Sequence, residues 1–178
     1  MKIFVFRLGH RHERDKRIST HCALVARAFG ADGIIFDTVD EKIEKKIHDV
    51  VNRFGGPFTL EMGVSWKNFI KKWIENGNEV IHLTMYGLPL PSVIDKIKTS
   101  NKDKLIIIGA SKVPREIYEM ATYNVSVTNQ PHSEIAALAV FLDHLFEGKE
   151  FYKTFTNAKI QIIPSERRKK IINMKTKK

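Results

Sequence analysis

The run Leu105-Ile-Ile-Ile-Gly109 has no polar side chain, and Ile106 to Ile108 are continuously apolar. A strand with one face in water alternates apolar and polar residues. An unbroken β-branched run therefore marks a strand covered on both faces, as in a parallel sheet between helices. Short apolar runs of this kind recur, giving expected strands at 2–7, 33–37, 57–62, 79–84, 104–109 and 123–128. Between them the spacing turns helical. Val39, Ile43, Ile47, Val50, Val51 and Phe54 fall on one side of a helix. Ser65 is placed to cap a helix with a Trp66, Phe69, Ile70, Trp73 stripe, and Pro131 to open a last helix with Ile135, Leu138, Leu142 and Leu145 inward. Six strands alternating with about five helices predict an α/β domain, a parallel sheet flanked by helices.

Charge divides the chain further. The net charge is +10, but residues 1–21 carry +4, residues 149–178 carry +8 and the stretch between carries −2. Two concentrated cationic ends point to a polyanionic partner such as nucleic acid, with a solvated tail as the alternative for the last residues. The composition changes after Gly148, so residues 1–148 are read as one domain and 149–178 as a basic extension with a candidate strand at 158–163. A lone Cys22 gives no internal disulfide and no cysteine metal cluster. The absence of a membrane-length apolar run and of a signal-peptide pattern leads to a cytoplasmic expectation.

In open α/β sheets, ligands bind beyond the carboxyl ends of the strands. Those ends are followed by His10-Arg11-His12, Met85-Tyr86-Gly87, Gly109 to Pro114 and Asn129 to Glu134. Four chemistries compete there. His10 and His12 offer two metal ligands, but a zinc site needs a third, and His132 is the only loop histidine left to supply it. No metal is assigned. The first loop, Gly9-His-Arg-His-Glu13, lacks the glycine pattern of dinucleotide binding, and no P-loop is present. Cys22 beside His21 is expected to be a small helix residue rather than a nucleophile. Finally, Arg7, Arg11, Arg14, Lys16 and Arg17 lie within eleven residues, with only Glu13 and Asp15 to offset them. Guanidinium forks match phosphate oxygens, so this stretch is expected to grip RNA, with His21 and the aromatics of 151–155 adding contacts to unpaired bases.

Three strings, "RLGHRHERDKRISTHCALVARAFGADGI", "GASKVP" and "TNQPHSEIAALAVFLDHLF", together resemble the archaeal tRNA cytidine-56 2′-O-methyltransferases of the SPOUT superfamily. The resemblance spans roughly residues 1–150. It implies a Rossmann-like N-terminal half, a C-terminal half tied in a trefoil knot, a homodimer, and S-adenosylmethionine as methyl donor to a tRNA ribose. It implies cofactor contacts from Leu83, from Gly109, Ala110, Ser111, Lys112 and Val113, and from Val127, Thr128, Asn129, Gln130, Pro131, His132, Ser133 and Glu134. The superfamily's Asn-x5-Arg motif falls on His21 to Arg27, which makes Arg27 the implied catalytic cation and His21 a departure. Two rival readings stay open: an RNA-binding α/β protein without catalysis, and a metal-dependent hydrolase using His10 and His12.

Overall fold

The computed structural model describes residues 1–12, 14–109 and 112–174. Six strands, β1 (Ile3–Leu8), β2 (Gly33–Phe36), β3 (Thr59–Glu61), β4 (Glu79–Pro89), β5 (Lys104–Gly109) and β6 (Tyr123–Ser126), form one sheet in the order β3-β2-β1-β5-β4-β6. Every pairing in it is parallel. Six helices connect and flank the strands: α1 (Lys16–Ala28), α2 (Glu41–Phe54), α3 (Trp66–Glu75), α4 (Leu90–Thr99), α5 (Arg115–Met120) and α6 (Glu134–Phe146).

The apolar run from Leu105 to Ile108 sits at the centre. β5 pairs with β1 on one side and β4 on the other. Ile106 and Ile108 join a core with residues of α1, α2, α4 and α6, while Leu105 and Ile107 face α3 and α5. Each side chain so buried is worth about 1.5–3 kcal/mol of transfer free energy. The α3 stripe is as expected: Phe69 stacks on Trp73 and tilts against Phe6, and Trp73 meets Phe4 edge-on.

The boundaries differ in four instructive places. α2 begins at Glu41, because Asp40 caps it: its Oδ1 accepts from the Lys42 and Ile43 amides at 3.0 and 3.2 Å. Val39 therefore precedes the helix and is exposed. α6 begins at Glu134, where the Ser133 hydroxyl accepts from the Ala136 amide at 3.1 Å, so Pro131 stands ahead of the cap. β4 runs past residue 84 through an irregularity. Both Leu83 and Leu88 register with Val125, so residues 84–87 bulge out between them. Gly87 is obligatory in that bulge, since a Cβ there would lie 2.5 Å from Asn124 and Val125 backbone. Fourth, the extension holds two strands, β7 (Ile160–Ile163) and β8 (Lys170–Asn173), paired antiparallel as a separate hairpin. The second of these falls in the stretch expected to be basic tail. Among the described residues no helix is long and apolar enough to cross a membrane.

Truncating the central strand tests this layering. Ile106→Ala is expected to cost about 2–5 kcal/mol in urea denaturation. Ile172→Ala, on the exposed β8, is expected to change stability by no more than about 0.5 kcal/mol.

Candidate functional site

The carboxyl ends of β4, β5 and β6 open onto a pocket of about 540 Å³, a volume typical of ligand and cofactor sites. His82 and Leu83 of β4 and the bulge residues Thr84, Met85 and Tyr86 form one wall. Ile108, Gly109, Lys112 and Val113 form the second, and Val127 with Gln130 to Glu134 the third; Tyr118 and Ala137 complete it. The bulge is held from across the pocket. The Asn129 amide donates to the Met85 carbonyl at 2.7 Å and to the Gly87 carbonyl at 3.2 Å, and Thr84 pairs with the Tyr118 hydroxyl at 3.0 Å.

His82 is buried at the pocket floor. The Asn124 amide nitrogen donates to the Tyr118 carbonyl, which turns the amide oxygen toward His82 Nδ1 at 2.9 Å. That assignment makes Nδ1 the donor in a neutral imidazole. Burial lowers the His82 pKa, with the Asn124 bond opposing.

Of the expected cofactor contacts, Leu83, Gly109, Lys112, Val113, Val127, Gln130, Pro131, His132, Ser133 and Glu134 share this pocket's wall. Ala110 and Ser111 lie outside the described residues. Thr128 and Asn129 are not wall residues. Thr128 exchanges local bonds with Gln130, and Asn129 acts through the bulge. His82, Thr84, Met85, Tyr86, Ile108, Tyr118 and Ala137 were not anticipated as contacts, although Met85-Tyr86-Gly87 already marked a strand end.

The cationic stretch divides in two. Arg7 is corrected from an expected RNA contact to a core ion pair. It is fully buried, its Nη2 donates to Glu134 Oε1 at 2.7 Å, and its Nη1 donates to Ser19 Oγ at 2.6 Å. A buried guanidinium cannot stay without an anion, and Glu134, at the head of α6, supplies it. Burial pushes the Glu134 carboxyl above its usual range, with Arg7 opposing. From Ser19 the network continues to His10 Nδ1 at 2.7 Å, and His10 Nε2 meets Asp40 Oδ2 at 3.1 Å. His12 meets the same oxygen at 3.4 Å. His10, His12 and Asp40 thus place three donor atoms within 4.8 Å of one another. The sequence reading lacked that third ligand.

The remaining cations stay at the surface. Arg11 is half exposed and forks onto Asp15, whose pKa that bond lowers. Arg14, Arg17 and His21 are exposed, and Lys16 is partly so. All stand in the loop after β1 or the first turns of α1, on the same sheet edge as the pocket.

Arg27 does not. α1 runs back from that edge, and Arg27 lies eight residues beyond Ser19, about 12 Å along the helix axis. Its Nη2 donates to the Phe54 and Gly55 carbonyls at 2.9 and 2.6 Å, and its guanidinium covers the Phe155 ring at 3.9 Å. Within one chain Arg27 thus clamps the last turn of α2. Cys22 is fully buried and its thiol is pushed up to about 12, so it offers no thiolate near neutral pH.

A family model described as tRNA ribose 2′-O-methyltransferase, aTrm56, matches residues 54–172. A tRNA (cytidine(56)-2′-O)-methyltransferase of Thermococcus kodakarensis is 56% identical, with 97% of each chain covered. The corresponding protein of Methanocaldococcus jannaschii is 52% identical over the full length of both. Among solved structures, the TrmH/SpoU tRNA modifying enzyme of A. aeolicus superposes with a TM-score of 0.59 at 14% identity, covering 85% of this chain and 77% of that one. The SpoU methyltransferase AviRb of Streptomyces viridochromogenes, solved with AdoMet, gives 0.56 at 14% identity, covering 83% and 57%. At such identities these structures bear on the fold alone: a parallel sheet with flanking helices.

The neutral histidine gives a pH test. Its folded pKa lies below the unfolded value of about 6.5, so the unfolded chain takes up the proton first. Stability is therefore expected to be level above about pH 6.5 and to fall as pH drops from there toward the folded pKa. Melting curves of wild type and His82→Gln should converge in slope only if His82 plays no part. The expected result is a flatter acid limb for the variant.

Proposed function

The chain belongs to the tRNA ribose 2′-O-methyltransferase family, and on that premise we infer that its pocket at the ends of β4, β5 and β6 holds the methyl donor while the head of α1 holds the RNA. The enzyme methylates the 2′-hydroxyl of a tRNA ribose, at cytidine 56, using S-adenosylmethionine. The observation that carries the placement is the meeting of Gly109, Lys112 and Val113 with Val127 and Gln130 to Glu134 in one pocket, on the edge where Arg14, Lys16 and Arg17 stand.

The residues present fit the cofactor. Leu83, Ile108, Val127 and Pro131 offer apolar surface for a nucleoside. Glu134 Oε2 is buried without a partner among the described residues, which suits a cationic or hydrogen-donating end. When bound, the cofactor supplies a methyl group already made electrophilic by sulfonium charge. The chain's own task is the ribose oxygen, a weak nucleophile until its proton leaves. Fixed cations beside that oxygen stabilise the alkoxide as it develops, and guanidinium stays charged at any working pH. With Arg27 committed to Phe54 and Gly55, that duty passes to the α1 head. Arg11, Arg14, Lys16 and Arg17 hold phosphate and the reacting ribose, and His21, four residues beyond Arg17, extends the same helix face. Arg7 contributes through Glu134, by fixing the pocket wall.

Three further elements belong to this reading. The homodimer is supported by Tyr86 and Leu88, apolar side chains left exposed on the bulge that a second copy would cover. The trefoil knot is supported by the insertion of β4 between β5 and β6. A cytoplasmic site of action follows from a tRNA substrate.

A second reading rests on His10, His12 and Asp40. One equivalent of zinc retained through purification and lost on His10→Ala would assign that cluster to a metal. Its absence would leave the cluster as the hydrogen-bonded cap of α2.

The test of the first reading is transfer of labelled methyl from S-adenosylmethionine to unmodified tRNA, mapped to cytidine 56. Arg14→Ala and Arg17→Ala are expected to lower turnover, the more critical of the two by about 10²-fold, without changing calorimetric cofactor affinity. Arg27→Ala is expected to lower stability by about 1–3 kcal/mol, from two carbonyls left unpaired, with the smaller effect on turnover. The reverse pattern would return the catalytic duty to Arg27. Asn129→Ala, which frees the bulge, is expected to weaken cofactor binding about tenfold, or about 1.4 kcal/mol.

A further inference from the structure

We propose that the β7–β8 hairpin is an RNA-phosphate anchor, fixed to the opposite edge of the sheet from the methyl-transfer pocket. The proposal rests on the tRNA methyltransferase reading and adds a second contact surface to it.

The hairpin loop and the start of β8 carry Arg167, Arg168, Lys169 and Lys170 in succession, with Glu166 the single acid beside them. All four cations are exposed, and among the described residues none has a carboxylate within ion-pair distance. Four adjacent unneutralised cations repel one another, and an extended polyanion relieves that repulsion by displacing the counterions it carries. Arg11, by contrast, is already forked onto Asp15.

A two-stranded hairpin is marginal by itself, and this one is fastened to the domain at its base. Gly56 and Thr156 exchange backbone bonds at 2.9 Å each way. The Lys159 amide donates to the Arg53 carbonyl at 2.9 Å, and the Met174 amide to the Lys159 carbonyl at 2.8 Å. Lys153 Nζ reaches the Gly30 carbonyl at 2.7 Å, and Phe155 lies under the Arg27 guanidinium. These bonds put Arg27 to use: it joins the end of α2 to the segment that leads into the hairpin. They also fix where the hairpin sits. Gly30 precedes β2 and Gly56 precedes β3, so its base is at the amino ends of the strands. The pocket is at the carboxyl ends, about 20 Å away along a six-residue strand, and about 14 Å across, three strands over. A small ligand cannot touch both surfaces, whereas a folded RNA can.

Separation from the chemistry sets the test. In the full chain carrying Arg167→Ala, Arg168→Ala, Lys169→Ala and Lys170→Ala, unmodified tRNA is expected to bind at least tenfold more weakly at about 0.1 M salt. The slope of log affinity against log salt should be shallower by about 3, as for the loss of about four phosphate contacts. Calorimetric affinity for S-adenosylmethionine and turnover at saturating tRNA should not change, so the defect lies in KM. Arg167→Lys with Arg168→Lys keeps the charge and should bind tRNA as wild type. Unchanged affinity and slope in the quadruple variant would overturn the proposal. So would a fall in turnover with KM preserved, or a changed oligomeric mass by light scattering, which would make the hairpin a contact between copies. If wild type transfers no methyl group, the methyltransferase reading fails, while the binding measurement still decides the anchor.

Discussion

The arrangement of this protein's working edge depends on one buried ion pair. Arg7, next to last in β1, is fully buried, and Glu134 opens α6 at 2.7 Å from it. Removing one member of such a pair typically costs about 3–5 kcal/mol, because the charge left behind has no partner. The pair spans 127 residues of sequence. It joins the first strand to the last core helix and thereby fixes where the segment from Val127 to Glu134 crosses the strand ends. Ser19 receives the other arm of Arg7, so α1 is keyed to the same point. His10 and Asp40 carry the network on to the cap of α2.

The pocket follows from a departure from regular strand geometry. A straight β4 would have closed against β6, but the bulge at 84–87 moves backbone outward and the Asn129 amide holds it there. A glycine is needed at the point of closest approach, and Gly87 supplies it. The space so opened is bordered by apolar side chains from β5 and by one carboxylate already engaged by arginine. That combination suits a nucleoside with a charged end. The surface cations of the α1 head remain outside it, on the same edge of the sheet.

Much of this was legible beforehand, and the failures share a cause. The β5 run and the α3 stripe depend on local pattern and stand where pattern placed them, as do His10 to His12 and Asn129 to Glu134 beyond their strands, whereas Met85 to Gly87 fall in a bulge inside β4. Arg7 was misread because sequence gives the charge of a side chain but not its neighbours. Arg7 looked like one of five surface cations until Glu134 came beside it. Arg27 was placed by motif spacing, and its position about three turns down α1 carries it toward Phe54 and Gly55 of its own chain. Asp40 went unnoticed as a partner of His10 and His12 because it lies 28 residues beyond the nearer of them. β8 was taken for tail because a lone Ile171-Ile172 pair in a basic stretch has no obvious partner until Ile160 to Ile163 pairs with it.

By itself the sequence determined the layered α/β architecture, the edge on which the pocket opens and the basic character of both ends. These follow from short-range periodicity and from charge, which no tertiary arrangement can alter. Only the tertiary structure decided which cations stay at the surface and which are spent on the core, where β4 breaks its ladder, and on which side of the sheet the hairpin is fastened. Those are matters of proximity between residues far apart in the chain, set by desolvation and hydrogen-bond pairing once the sheet has closed.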